Sequence, residues 1–159
     1  MIATAKLLKQ YGHSRQPVPK KTIIQHGVKI CRSMLTGVSR YHEEASEYGA
    51  LTESGFTTQT AIRLEGLQAA ISFLPESEKH LKTQIVSAVQ EGMVFLLRSQ
   101  IKKGRHAGGI PRVAQALAFK NIKEDGSNKD REYEIRIDYV QHAMCAMMQY
   151  SENFLLKPN

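Results

Sequence analysis

Three residues near the carboxyl end of the chain have side-chain types and a spacing that could support chemistry. Asp138, His142 and Cys145 stand at positions i, i+4 and i+7, so on a helix a carboxylate, an imidazole and a thiol share one face. Such a set could hold a zinc ion. The simpler interpretation is a hydrogen bond between Asp138 and His142 beside an ordinary buried cysteine. We predict that hydrogen bond and assign no metal and no cofactor.

A second acidic residue offers a partner for Asp138. Glu65 lies in a separate apolar stretch, and paired carboxylates are what glycoside hydrolysis, lyase chemistry or cationic cyclisation requires. Glu65, Asp138 and His142 are therefore the candidate catalytic residues. Each carboxylate also has a cation nearby in the sequence, Arg63 and Arg136 respectively. Ordinary ion pairs near helix starts are the alternative explanation.

Arginines are the candidate substrate-binding residues. Arg112 follows the sequence GGIP at 108–111 and could present its guanidinium to an anionic substrate at a helix start. Arg63 and Arg136, beside the candidate carboxylates, complete this group. The phosphate-loop, serine-hydrolase, zincin and dinucleotide-binding motifs do not occur in the sequence, which argues against those four classes of enzyme.

Helices must position these residues. Apolar residues recur at helical spacing along most of the chain, which predicts helices over 4–10, 20–45, 60–74, 77–101, 112–119 and 134–155. Strand-like alternation is confined to 133–137, so we predict an all-α fold of antiparallel helical hairpins. We expect one domain over 1–159, with a proline-containing linker over 11–19 and an exposed loop over 120–133.

The predicted helices differ in their apolar pattern. Helix 77–101 has one apolar and one polar side, so we expect it to be outermost. Helices 60–74 and 134–155 have two apolar flanks with a narrow polar strip between them, so we expect them to be more buried. A buried polar group without a partner costs about 1–3 kcal/mol. We therefore predict that Asp138 and His142 line a cavity together with Glu65.

The stretch 92–109 (GMVFLLRSQIKKGRHAGG) resembles the repeat of terpenoid cyclases and protein prenyltransferases. The match is carried by Phe95, Leu96, Gln100, Gly108 and Gly109. This resemblance implies that the aromatic residue packs between helices and that the glutamine caps the following turn. The stretch 60–74 (TAIRLEGLQAAISFL) is similar to the inner helices of the six-hairpin glycosidases, epimerases and lyases. Both resemblances imply part of an α/α toroid.

Chain length limits how much of a toroid this chain can form. A complete six-hairpin toroid needs about 12 helices and more than about 250 residues, whereas this chain has 159. We interpret it as a piece of such an enzyme or as a small relative. Two hairpins cannot cover both sides of two inner helices, so we expect a homo-oligomer or association with the remainder of a larger toroid.

The net charge of +7 is concentrated at one end of the chain. Residues 1–42 hold eight Lys or Arg and no acid, and the remainder holds 14 basic and 15 acidic residues. The basic stretch has two aromatic residues, Tyr11 and Tyr41, which does not favour nucleic acid as a partner. The sequence has no apolar run that could span a membrane and no secretory signal, which predicts a cytoplasmic protein.

Three functions remain open from the sequence. The principal hypothesis is a toroid enzyme, or part of one, that acts on a glycan or similar polar small molecule as a hydrolase, epimerase or lyase. The second is a non-catalytic helical interaction or scaffold domain. The third is an isoprenoid-processing enzyme. With 7% aromatic residues and no tryptophan, the chain is poor in the rings that would stabilise carbocations.

Overall fold

The computed structural model describes residues 2–10, 19–36, 48–52, 55–114 and 134–156. Within these ranges the α-helices are α1 (Ile2–Gln10), α2 (Lys20–Thr36), α3 (Thr57–Ile71), α4 (Lys79–Ser99) and α5 (Ile137–Tyr150). A 3₁₀ turn, Glu76–Glu78, precedes α4, and a π-helical turn, Ser151–Leu155, follows α5. The predicted all-α class is confirmed. The loop predicted over 120–133 lies outside the described residues, as does the linker over 11–19 apart from Pro19.

Helix α3 is the centre of the fold, and it packs against the other four helices. The sequence predicts this position, because apolar residues occur on more than one flank of the helix. Leu64 and Leu67 on one flank, and Ala61 and Ala70 on others, are all fully buried. Helix α4 approaches α3 closely at Gly92, where a Cβ atom would lie 2.7 Å from Leu64 Cδ2. The short connection 72–78 joins the two helices into a hairpin.

The prediction that α5 is more buried than α4 is wrong. The apolar face of α4 is buried and its polar residues Gln84, Ser87 and Arg98 are exposed, as predicted, while Met144 and Met148 of α5 are 55% and 61% exposed. The buried residues of α5 are Tyr139, Ala143 and Ala146. The apolar flanks of α5 predicted two packed sides, but an apolar side chain can also remain at the surface.

The segment 48–52 is held against α3 and α4 by contacts that these helices make with its backbone. Leu51 donates its N–H to Thr60 Oγ1 at 3.2 Å, and the Arg63 guanidinium donates to the Leu51 carbonyl. Gly49 has a φ of +83°, and a Cβ at this position would lie 2.2 Å from the Glu91 carbonyl oxygen. Only glycine fits there without a shift of the backbone.

Short extended pieces connect the starts of α3 and α5. Isolated antiparallel bridges pair Phe56 with Val113 and Pro111 with Ile135. The helix predicted over 112–119 is therefore wrong at its start, and residues 115–119 lie outside the described ranges. The Arg112 carbonyl accepts from Thr57 N–H and the Arg112 N–H donates to the Glu134 carbonyl, each at 3.0 Å. The backbone N–H and C=O of Arg112 are thus hydrogen-bonded to neighbouring segments and not within a helix.

Candidate functional site

A polar pocket of about 330 Å³ lies where the start of α3, the extended segment 110–114 and the residues before α5 come together. Its lining consists of Phe56, Thr58, Gln59, Arg112, Glu134, Arg136 and Tyr139. Two of the predicted substrate-binding residues, Arg112 and Arg136, therefore share one pocket. They are 24 positions apart in the sequence, and the backbone bridges described above bring their segments together.

Arg112 reaches this pocket because the backbone around it is extended. Its neighbours Pro111 and Val113 are buried, and side chains alternate in direction along an extended segment. The Arg112 guanidinium carbon lies 5.3 Å from the centroid of the Phe56 ring, within cation–π range. Among the described residues no carboxylate forms an ion pair with Arg112.

Arg136 has a different environment. Its Nε donates to Asp138 Oδ1 at 3.0 Å, and its guanidinium carbon lies 5.4 Å from the centroid of the Tyr139 ring. The adjacent Asp138 carboxylate raises the pKa of the Arg136 guanidinium above its usual value. Asp138 thus neutralises and orients Arg136. The predicted hydrogen bond between Asp138 and His142 is not formed.

Tyr139 and Glu134 add a proton donor and an acceptor to the lining. The Tyr139 hydroxyl donates to Glu134 Oε2 at 3.0 Å. Burial, and secondarily the hydrogen bond to Glu134, raise the pKa of the Tyr139 phenol above its ordinary value. The phenol therefore keeps its proton at neutral pH and acts as a donor.

The first turn of α3 makes the pocket more favourable to an anion. The leading N–H groups of a helix have no acceptor within the helix and carry a partial positive charge. Thr57 donates its N–H to Arg112, whereas Thr58 and Gln59 of the same turn line the pocket. The Thr58 hydroxyl oxygen is buried and lacks a hydrogen-bond partner among the described residues.

The predicted catalytic residues Glu65 and His142 meet outside this lining, at the contact between α3 and α5. His142 Nδ1 and Glu65 Oε1 are 2.8 Å apart, with the Glu65 side chain 13% exposed and that of His142 33% exposed. One turn further along α3, Gln68 Nε2 donates to the Ala146 carbonyl at 3.0 Å. The pair of Glu65 and His142 therefore joins the polar strips of α3 and α5 at one point, and Gln68 bonds to the backbone of α5.

The remaining predicted residues lie elsewhere. Arg63 binds the Leu51 carbonyl and is not part of the pocket lining. Cys145 is exposed, and Asp138 is engaged by Arg136, so the set of Asp138, His142 and Cys145 does not converge. In the described part of the chain, no three His, Cys, Asp or Glu side chains are grouped closely enough to hold a metal ion.

Comparison of the chain with protein-family models, curated proteins and solved structures finds no match. The toroid resemblance therefore stays a prediction. Two local features that it implied are present, since Phe95 is fully buried and Gln100 Nε2 donates to the Gly108 carbonyl at 3.2 Å. Within the described ranges, no helix combines the length and apolarity needed to cross a membrane.

The sequence analysis missed several residues of the pocket lining, namely Phe56, Thr58, Gln59, Glu134 and Tyr139. A usable signal existed for Glu134, because the alternation near 133–137 places Glu134 and Arg136 on the same side of an extended segment. No comparable signal existed for Phe56. Its position opposite Arg112 depends on the bridge between Phe56 and Val113, which joins residues far apart in sequence.

Proposed function

We propose that the pocket binds an acidic carbohydrate, and that the chain is a piece or a small relative of an α/α-hairpin enzyme that processes one. The observation that carries this proposal is the Arg112 guanidinium, which lies against Phe56 in the pocket without an anionic partner among the described residues. An unpaired guanidinium in a concave site favours a carboxylate or phosphate group, which it can bind through two parallel hydrogen bonds.

The rest of the lining suits a sugar ring. The rings of Phe56 and Tyr139 offer apolar faces for the C–H groups of a sugar, and Gln59 and Glu134 offer hydrogen-bonding groups for its hydroxyls. The volume of about 330 Å³ is at the small end of the range for ligand pockets, which suits one sugar unit. The arginines and the glutamate favour a polar ligand over an isoprenoid.

The pocket also holds groups that could move a proton. Tyr139 keeps its proton at neutral pH and is hydrogen-bonded to Glu134, so we assign the phenol as a proton donor and the carboxylate as an acceptor. Hydrolysis, epimerisation and elimination all require such a pair. Asp138 acts through Arg136 as a positioning residue. The catalytic assignment of Glu65, Asp138 and His142 stays a prediction.

Binding of two sugars that differ in one charged group tests the proposal directly. Titration calorimetry of the full chain with glucuronate and with glucose should show binding of the acidic sugar and at least about tenfold weaker binding of the neutral one, the equivalent of about 1.4 kcal/mol. The variant Arg112→Gln should lose about the same factor toward glucuronate. The variant Phe56→Leu should weaken the binding of glucuronate by removing the ring.

The matched control is Arg98→Gln on α4, since Arg98 is exposed and lies outside the pocket lining. This variant has the same change in net charge and should bind glucuronate like the parent. Equal binding of the two sugars, or an affinity for glucuronate that Arg112→Gln leaves unchanged, would contradict the proposal.

A further inference from the structure

A second, larger concave site lies near the opposite end of α3. It has a volume of about 760 Å³ and is formed by α2 and the connection between α3 and α4. We call it the basic groove. Its lining consists of Lys20, Lys21, Ile24, Gln25, Val28, Lys29, Arg32, Pro75, Ser77 and Glu78. It draws on the positively charged part of the chain that the proposed sugar site does not use.

The groove has an apolar floor with cations on both edges. Ile24 and Val28 lie near the middle of this face of α2, and Val28 is buried. At 100° per residue, Lys20 and Lys29 fall about 90° to either side of the line through Val28. Lys21 and Arg32 fall about 20° and 40° from that line, so these two cations lie on the floor itself, one toward each end of α2.

The cations of the groove are largely unpaired. Glu78 is the acidic member of the lining, and its Oε2 is already bound to Arg32 at 3.0 Å. No ion pair within the described residues involves Lys20, Lys21 or Lys29. Within the described part of the chain these three ammonium groups have no carboxylate partner, which favours an anionic ligand.

The length of the charged face indicates the kind of partner. Lys20 and Arg32 are 12 positions apart on α2, which corresponds to about 18 Å along the helix axis. A single small anion cannot reach both ends. The lining contains no aromatic residue on which a nucleic-acid base could stack. A charged phosphate backbone would also not bury the apolar residues of the floor favourably. A concave floor also does not fit a flat lipid surface.

We propose that the basic groove binds an acidic amphipathic helical segment of a partner protein. The apolar face of that segment covers Ile24, Val28 and Pro75, carboxylates along its two edges pair with Lys20 and Lys29, and one near its end pairs with Lys21. Burial of the apolar face supplies affinity, while the charge pairs fix orientation and speed association.

The test uses fluorescence anisotropy with a labelled helix-forming peptide that has leucines on one face and glutamates along both edges. The full chain should bind it, and binding should weaken as salt rises. The double variant Lys21→Glu/Lys29→Glu should lower the affinity at least about tenfold. The variant Ile24→Ser should also lower the affinity, because Ile24 contributes apolar surface rather than charge.

The control Lys103→Glu/Arg105→Glu makes the same change in net charge at exposed positions outside the groove and should change the affinity less than about twofold.

Each other outcome overturns the proposal. A scrambled peptide of the same composition that binds equally well would reduce the interaction to unspecific charge attraction. Stronger binding to polyuridylate RNA or to phosphatidylserine-containing vesicles through the same lysines would assign the groove to a different partner. No binding of the amphipathic peptide would also contradict the proposal. Circular dichroism of each variant confirms that it has folded, so a loss of affinity reports on the groove.

Discussion

Glu65 and His142 are 77 positions apart in the sequence, and their side chains join the central helix α3 to α5 through Oε1 and Nδ1 at 2.8 Å. The neighbouring hydrogen bond from Gln68 to the Ala146 carbonyl is a second polar contact between these helices. Helix α5 begins directly after Arg136 and includes Tyr139, so the helix held by these two contacts also bears two residues of the pocket. We assign the pair a positioning role.

Removal of either partner should destabilise the fold. We expect His142→Ala to lower the free energy of unfolding by about 1–2 kcal/mol, because it strands the half-buried Glu65 carboxylate. Glu65→Gln should cost less, since the amide can still hydrogen-bond to the imidazole. Urea unfolding of the two single variants and the double variant measures the coupling between them. Additive effects of the two changes would show that the contact contributes nothing, and Gln141→Ala on the exposed side of α5 serves as the control.

The sequence predicted the polar strips but not how they pair. The strips were evident because Glu65, Gln68, Asp138 and His142 interrupt apolar flanks at helical spacing. Pairing depends on how α3 and α5 are rotated against each other, and helical periodicity does not contain this rotation. Asp138 follows Arg136 by two residues at the start of α5, and this nearby cation engages it in place of His142.

The sequence predicted where the helices occur better than it predicted which of their sides are buried. The amphipathic pattern of α4 correctly identified its buried face, because one-sided apolar patterns leave few ways to pack. The pattern of α5 has apolar residues on more than one side, so it did not determine which side faces α3. The short alanines Ala143 and Ala146 form the buried side, since small side chains allow close approach of the helix axes. The larger Met144 and Met148 remain outside.

Two glycines with positive φ should respond differently to alanine. Gly49 and Gly104 have φ values of +83° and +86°, so each substitution carries a backbone cost of about 1–2 kcal/mol. A Cβ at Gly49 would also lie 2.2 Å from the Glu91 carbonyl oxygen, whereas nothing lies within 4 Å of one at Gly104. Gly49→Ala should therefore destabilise the protein by at least about 1 kcal/mol more than Gly104→Ala in thermal or urea unfolding. Equal losses would show that segment 48–52 is not held against α4 as described.

Ionisation of the buried Cys31 thiol should lower stability in alkaline solution. Burial raises the pKa of Cys31 from 9.0 to about 11, so the folded state binds this proton more tightly than the unfolded state does. The stability contributed by the thiol is complete below about pH 9 and is lost as the pH rises toward about 11, at up to about 1.4 kcal/mol per pH unit. Urea unfolding at several pH values should show a steeper decline for the parent than for Cys31→Ala.

The variant Cys145→Ala is the control for this experiment, because Cys145 is exposed and Cys31 is buried. Its stability should follow the parent's pH dependence. Parallel curves for the parent and Cys31→Ala would contradict the expectation. The same pair of variants separates the thiols chemically, since a disulfide reagent at neutral pH should modify Cys145 in the folded protein and reach Cys31 only on unfolding.

Self-association through α5 is the remaining prediction. Ile137, Met144 and Met148 stand at i, i+7 and i+11, so they share one face, and they are 87%, 55% and 61% exposed. Exposed apolar side chains that share one helix face favour contact with another apolar surface. Sedimentation velocity at rising concentration should show a growing fraction of dimer or larger species for the parent. The double variant Met144→Glu/Met148→Glu should remain monomeric, because it places carboxylates at the centre of that face.

The control Gln84→Glu/Gln90→Glu makes the same change in net charge at exposed positions of α4, so it should associate like the parent. A parent chain that stays monomeric at all concentrations, or a control that dissociates as readily as the methionine variant, would show that α5 is not the contact.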